Sequence, residues 1–83
     1  MNLYDGKTVS SYEMAQALGR HNDTVMEGIR RVLGELCPTK ISIKDKNYRS
    51  ISGYKLSRNQ SDLVMEGYNT QQKLKVIYLW WDK

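Results

Sequence analysis

The chain is poor in the residues that usually advertise chemistry: of 83 residues one is cysteine, one proline and one histidine, and phenylalanine is absent. A lone Cys37 excludes an internal disulfide framework and reads as a small buried side chain. His21, the single histidine, lies 16 residues away from it, so neither residue belongs to a paired-ligand spacing that would hold a metal. There is no glycine-rich phosphate loop and no Ser-His-Asp arrangement. The expectation is a protein without catalytic residues, metal or cofactor, and not an enzyme. No signal sequence and no apolar run of membrane-spanning length is present, which makes a soluble cytoplasmic protein with no membrane partner the default.

What is present suits one small ordered domain spanning residues 1–83. Hydrophobic residues make up 40% of the chain, and the aromatic set is six Tyr and two Trp. A core this small only just offsets an ordering entropy of roughly 1.5 kcal/mol per residue, so an exposed apolar surface demands an explanation. The formal net charge is +4, but it is unevenly spread. Residues 1–37 carry four basic and five acidic side chains, and residues 38–83 carry nine basic and four acidic ones. The positive excess therefore lies outside the segment that most resembles a DNA reader.

That segment is SSYEMAQALGRHNDTVMEGIRRVLGEL. Ser10 and Glu13 stand at capping-box spacing, which predicts a helix over about 11–18 that buries Met14, Ala15 and Leu18 and stops at Gly19. A second helix is predicted from His21 or Asn22, with Asn22 the better N-cap and Asp23 favourable against the helix dipole. Its core stripe is Val25, Ile29, Val32 and Leu36, widened by Met26 and Leu33, with Gly28 allowing close packing and Pro38 ending the helix. Upstream, Leu3-Tyr4 and Thr8-Val9 flank the turn Asp5-Gly6 as a minimal hairpin, or else pair with residues 48–54. Downstream, Ile41 and Ile43 alternate with polar residues, Asp45 to Asn47 supply a turn, and extended structure resumes over 48–54, giving a second hairpin or wing. Ser57 with Gln60 and Asn69 with Gln72 repeat the capping spacing and predict helices over about 58–68 and 70–81. The fold class is accordingly α+β: a helix-turn-helix-like, winged-helix-like domain with four helices and one or two short hairpins.

In the last helix, Leu74, Ile77, Tyr78 and Trp81 form one stripe, while Val76, Leu79 and Trp80 fill much of the remaining circumference. Either the tryptophans fold back over the core, or the helix meets another protein. The second reading makes Leu74, Ile77, Tyr78, Trp80 and Trp81 an oligomer interface and 70–81 an oligomerisation element, with a closed dimer or tetramer as the product.

GKTVSSYEMAQALGRHNDTVMEGIRRVL, followed by GYKLSRNQSDLVMEGYNTQQKLKVIY, resembles the short domain of phage Rha-type regulatory proteins, which also occurs in phage antirepressors. The resemblance runs from about Gly6 to Tyr78. It rests on the Ser-led first helix, His21 opening the second, Tyr54-Lys55-Leu56, the run Asp62-Leu63-Val64-Met65, and Gly67-Tyr68 before the last helix. It implies a role in the lysogeny-lysis switch inside a bacterial host cell, by acting on DNA or by disabling a phage repressor. Members often carry a second domain, which this chain lacks.

Residue chemistry divides these alternatives. A groove reader would use Asn22, Thr24 or Arg30 on base edges, yet Asp23 and Glu27 on the same short helix would meet a dense phosphate field. Arg20, His21, Asn22, Asp23, Glu27, Arg30 and Arg31 are instead expected to form a mixed-charge surface for a repressor protein, although the turn and helix-cap role of the first four is as strong a reading. Lys44, Lys46 and Arg49 around Tyr48 are possible nucleic-acid contacts, or a solvated turn whose lysines guard a sheet edge. The expected function is that of an antirepressor that blocks operator binding; the alternative is a sequence-specific DNA-binding regulator.

Overall fold

A computed structural model describes residues 6–81. The element order is β1 (Val9–Ser10), α1 (Ser11–Leu18), α2 (Asn22–Leu33), a 3-10 turn (Gly34–Leu36), β2 (Ile41–Lys44), β3 (Ser50–Gly53), β4 (Lys55–Leu56), α3 (Arg58–Met65) and α4 (Thr70–Trp81). This is the α+β class expected from the sequence, with four helices and two short antiparallel two-stranded sheets.

Local signals set most helix starts. Ser10 Oγ accepts from the Glu13 amide at 3.0 Å and Glu13 Oε1 accepts from the Ser10 amide at 3.3 Å. The same reciprocal pair forms between Ser57 and Gln60, at 2.9 and 3.2 Å, and between Asn69 and Gln72, at 2.8 and 3.1 Å. Each satisfies two amides that a helix start leaves without intrahelical partners. At the end of α1, Gly19 adopts φ 66°, and the Gly19 and Arg20 amides donate to the carbonyls of Gln16 and Ala15. The left-handed glycine thus makes the sharp turn that separates α1 from α2.

The second helix departs from expectation at both ends. His21 is its N-cap, without a side-chain bond, and Asn22 is its first residue with a side chain engaged elsewhere. At the other end the α-helix stops at Leu33, because Gly34 at φ 51° turns the backbone into the 3-10 segment. Leu36 consequently leaves the apolar face and is 70% exposed. Val32 is also exposed and borders a groove lined by Gly28, Gly67 and Tyr68. The buried stripe is Val25, Met26, Ile29 and Leu33. A Cβ at Gly28 would meet only the Arg31 guanidinium and the Tyr68 hydroxyl at ordinary contact distance, so close packing does not require this glycine.

The ribbon β2–β3 is the expected hairpin, in register Ile41↔Gly53 and Ile43↔Ile51. Gly53 sits where a Cβ would collide with the Ile43 side chain and approach Ser11 Oγ to 2.9 Å. The other sheet is not local. Val9 pairs with Leu56 and Ser10 with Lys55, so the partner of β1 follows the ribbon and does not lie within 48–54. Leu3 and Tyr4, the expected other arm of an N-terminal hairpin, lie outside the described residues. The returning chain serves both sheets: residues 50–53 close the ribbon, Tyr54 is buried, and residues 55–56 close the domain.

The core gathers Met14 from α1, Ile29 from α2, Leu56 from β4, Val64 from α3 and Trp80 from α4. Cys37 packs against it half-buried, less enclosed than expected. The third helix ends at Met65, so Tyr68 lies in the turn before α4 and outside the helix predicted over 58–68. No helix among the described residues is long and apolar enough to cross a membrane.

Candidate macromolecular recognition surface

The α1–turn–α2 unit and the β2–β3 ribbon are joined by one polar node. The Asn22 amide donates through Nδ2 to the Ser52 carbonyl at 2.8 Å and lies 3.4 Å from Met26 Sδ, while Oδ1 accepts from Ser11 Oγ at 2.7 Å. Ser11 Oγ in turn accepts from the Tyr54 amide at 3.2 Å, and the Ser11 amide donates to the Tyr54 carbonyl at 2.8 Å. Asn22, expected on the partner-binding surface, is half-buried at its edge, and its side-chain amide is committed to a structural clamp between α2 and the ribbon.

A second tie runs from the ribbon tip to α1, where the Lys46 amide donates to the Tyr12 hydroxyl at 3.1 Å. Tyr12, Gln16, His21, Asn22, Asp23 and Asp45, with Ile51 and Ser52 of the ribbon, line a shallow depression between the start of α2 and the ribbon. Nothing in the local sequence marked Tyr12 for this role, since its partner lies 34 positions away.

The outward face of α2 presents Asp23, Thr24, Glu27 and Arg31, all exposed, with Arg30 on its flank. Arg30 is not free to swing, because its Nη1 donates to the Tyr54 hydroxyl at 3.2 Å. That bond, aided by nearby Glu27 and opposed by partial desolvation, raises its pKa above the ordinary guanidinium value. Arg20 points the other way, with its guanidinium 5.8 Å from the Tyr68 ring centroid. Of the seven residues expected on one partner surface, His21, Asp23, Glu27 and Arg31 are exposed and lie on or at the start of α2, Arg30 is tethered at its edge, Arg20 stacks on Tyr68 and Asn22 is half-buried with its amide bonded to the ribbon.

The ribbon tip is built around Asp45. Its Oδ1 accepts from the Asn47 amide at 2.8 Å and the Arg49 amide at 2.9 Å, and its Oδ2 lies 3.5 Å from Arg49 Nε. These bonds, led by that from the Arg49 amide and reinforced by the Arg49 and Lys46 charges, hold the Asp45 carboxyl below the usual carboxylate range despite some desolvation. Since the folded value lies below the unfolded one, the stabilisation is fully present above the unfolded pKa of about 3.9 and is lost as pH falls through the folded value. Amide chemical shifts followed from pH 6 down to 2 should show Asn47 and Arg49 moving at a midpoint below that of a free aspartate. An Asp45→Asn variant should show no such titration. Lys44 Nζ donates to Ser50 Oγ at 2.8 Å, and Tyr48, at φ 61°, projects 85% exposed.

On α4 the two tryptophans part company. Trp80 is 1% exposed, with its indole N–H 3.4 Å from Ser61 Oγ and Arg58 stacked over it at 5.8 Å. Its expected place in an oligomer interface is thereby corrected: it belongs to the domain's own core. Leu74, Tyr78 and Trp81, at 43, 51 and 66% exposure, lie on the opposite side of the helix, with Ile77 half-buried beside them. The Tyr78 and Trp81 rings meet edge to face at 4.8 Å.

No three His, Cys, Asp or Glu side chains among the described residues are grouped so that they could hold a metal ion. Comparison with protein-family models, curated proteins and solved structures finds no match for this chain.

Proposed function

We propose that this protein is a Rha-like phage antirepressor, which captures a phage repressor protein on the outward face of α2 and keeps it from its operator, favouring lytic induction in the bacterial cytoplasm. The observation that carries the reading is the charge on that face. Asp23 and Glu27 occupy its first two turns and Arg30 and Arg31 its last, so the surface carries both signs, acids ahead of cations. A groove reader needs cations where these acids stand, whereas a protein partner can match both signs, and mismatched charges would reject the wrong one. The polar node and the Tyr12 tie support the reading further, because a surface held rigid loses little ordering entropy on binding.

Self-association through Leu74, Tyr78 and Trp81 is part of the same proposal, since a two-fold axis would let this stripe bury itself and present two capture faces. The second reading, a sequence-specific DNA-binding regulator, is favoured by the helix pair with a β-ribbon beside it.

The test is a gel-shift titration of repressor and operator DNA with excess non-specific DNA present. Unmodified protein should abolish the repressor–operator band. Asp23→Lys with Glu27→Lys, and separately Arg31→Glu, should each weaken capture by about tenfold or more, because reversal sets like charges together. Arg31 is the cleaner cation to reverse, since Arg30 also holds Tyr54. If α2 reads DNA instead, the double lysine variant should bind operator more tightly. Sequence-selective operator binding without repressor capture would sink the antirepressor reading.

A further inference from the structure

The ribbon carries a second signature that the α2 face does not use. Residues 40–55 hold Lys40, Lys44, Lys46, Arg49 and Lys55 against Asp45, so this stretch alone accounts for the formal +4 of the chain; elsewhere there are eight basic and eight acidic side chains. Asp45 is turned inward on the loop amides, which leaves the cations to dominate the tip. Between them stands Tyr48, 85% exposed and held at φ 61°.

That combination is costly for folding. The left-handed position closing such a turn suits glycine or asparagine, and a bulky side chain there is an outlier. Packing does not compensate, because the ring is almost wholly in solvent. Lysines guarding a sheet edge would explain the charge but not the tyrosine. A basic ribbon with a projecting aromatic is the chemistry of a strand-binding surface, with cations on phosphates and a ring against a base face.

We propose that the β2–β3 ribbon is a nucleic-acid grip in which Lys44, Lys46 and Arg49 contact phosphates and Tyr48 stacks on an unpaired or unstacked base. The site is independent of whichever partner α2 takes. It would hold single-stranded or locally unpaired nucleic acid without reading sequence.

Fluorescence anisotropy with a labelled single-stranded 16-mer, across a salt series, tests it. The unmodified protein should bind with a log-log salt slope that falls in magnitude by about 1.4 in Lys44→Gln/Lys46→Gln, roughly 0.7 for each phosphate left without its lysine. Tyr48→Gly should lower affinity roughly fivefold or more, in line with removal of one base–aromatic stack. The same variant should raise the melting temperature, because glycine relieves the left-handed strain, so the weaker binding cannot come from misfolding. Repressor capture by Tyr48→Gly should stay at the level of the unmodified protein, which keeps failure of this grip distinct from failure of the α2 reading. Affinity unchanged in Tyr48→Gly, no salt-dependent binding of the oligonucleotide, or equal binding of polyglutamate would overturn the proposal.

Discussion

Replacing Trp80 by alanine should destabilise the domain by about 3–5 kcal/mol, the range for emptying a buried tryptophan site. A domain of this length has on the order of 4–12 kcal/mol of total stability, so the variant should sit close to unfolding. The site has little means of collapsing: Trp80 is 1% exposed in a core shared by all four helices, and the Ser61 hydroxyl would lose its indole partner. Trp81→Ala removes an equally large side chain from the next position and should cost far less, about 1 kcal/mol, because 66% of that residue is already in solvent and its main loss is the edge-to-face contact with Tyr78. Urea denaturation of both variants, followed by far-UV circular dichroism, checks the contrast. Light scattering gives the complementary readout, in which Trp81→Ala should reduce self-association at unchanged helical content. Replacing both tryptophans together would not isolate assembly, since one of them holds the monomer.

The second large effect is expected at Asn22. Asn22→Ala removes one side chain and leaves the Ser52 carbonyl and the Ser11 hydroxyl without their partners, for a loss of about 1–3 kcal/mol. The damage should be regional before it is global. Amide exchange at Ser52 to Tyr54 should accelerate more than exchange at Ile29 or Val64, because the clamp holds the ribbon to α2 and the core lies behind it. Asn22→Asp offers a sharper check: a carboxylate can still accept from Ser11, but it faces the Ser52 carbonyl with a second acceptor. If the amide were only a helix cap, Asp would substitute well, since Asn and Asp cap about equally. If it is the clamp, Asp should cost as much as Ala or more.

These two positions also show where sequence reading stops. The three capping boxes were legible because their signal is complete within four consecutive residues, and tertiary structure left it intact. Asn22 carries the same cap chemistry, but Ser52, thirty positions on, offers its amide a bond across to the ribbon. Trp80 and Trp81 are adjacent in a helix apolar around most of its circumference, so periodicity alone could not say which would turn inward. Trp80 falls on the side of the helix that Val76 turns to the core, where Ser61 and Arg58 on α3 receive it. Val32 and Leu36 matched the helical stripe, yet Gly34 ends the helix between them. The two-residue strand Val9–Ser10 is too short to show any alternation, and its partner was legible only as a strand end near Leu56. At the candidate site, the basic ribbon and the mixed charge of α2 could be read directly, whereas the Tyr12 tie and the Arg30 tether depend on partners more than twenty positions away.

The pairing of Val9 with Leu56 bears on the order in which the molecule can form. Helices of eight and twelve residues are marginal on their own, and the Ser11–Asn22 bond that joins the first two is completed as a clamp only when both residues meet a backbone that arrives after the ribbon has turned. Closing that long loop requires its entropy to be lost before the contacts that reward it exist. A nascent chain halted on the ribosome before Leu56 has emerged should therefore hold α1 and α2 as a fluctuating pair, open to proteases and unable to present a fixed surface. Binding competence should appear late in synthesis, in one step, when the ribbon returns.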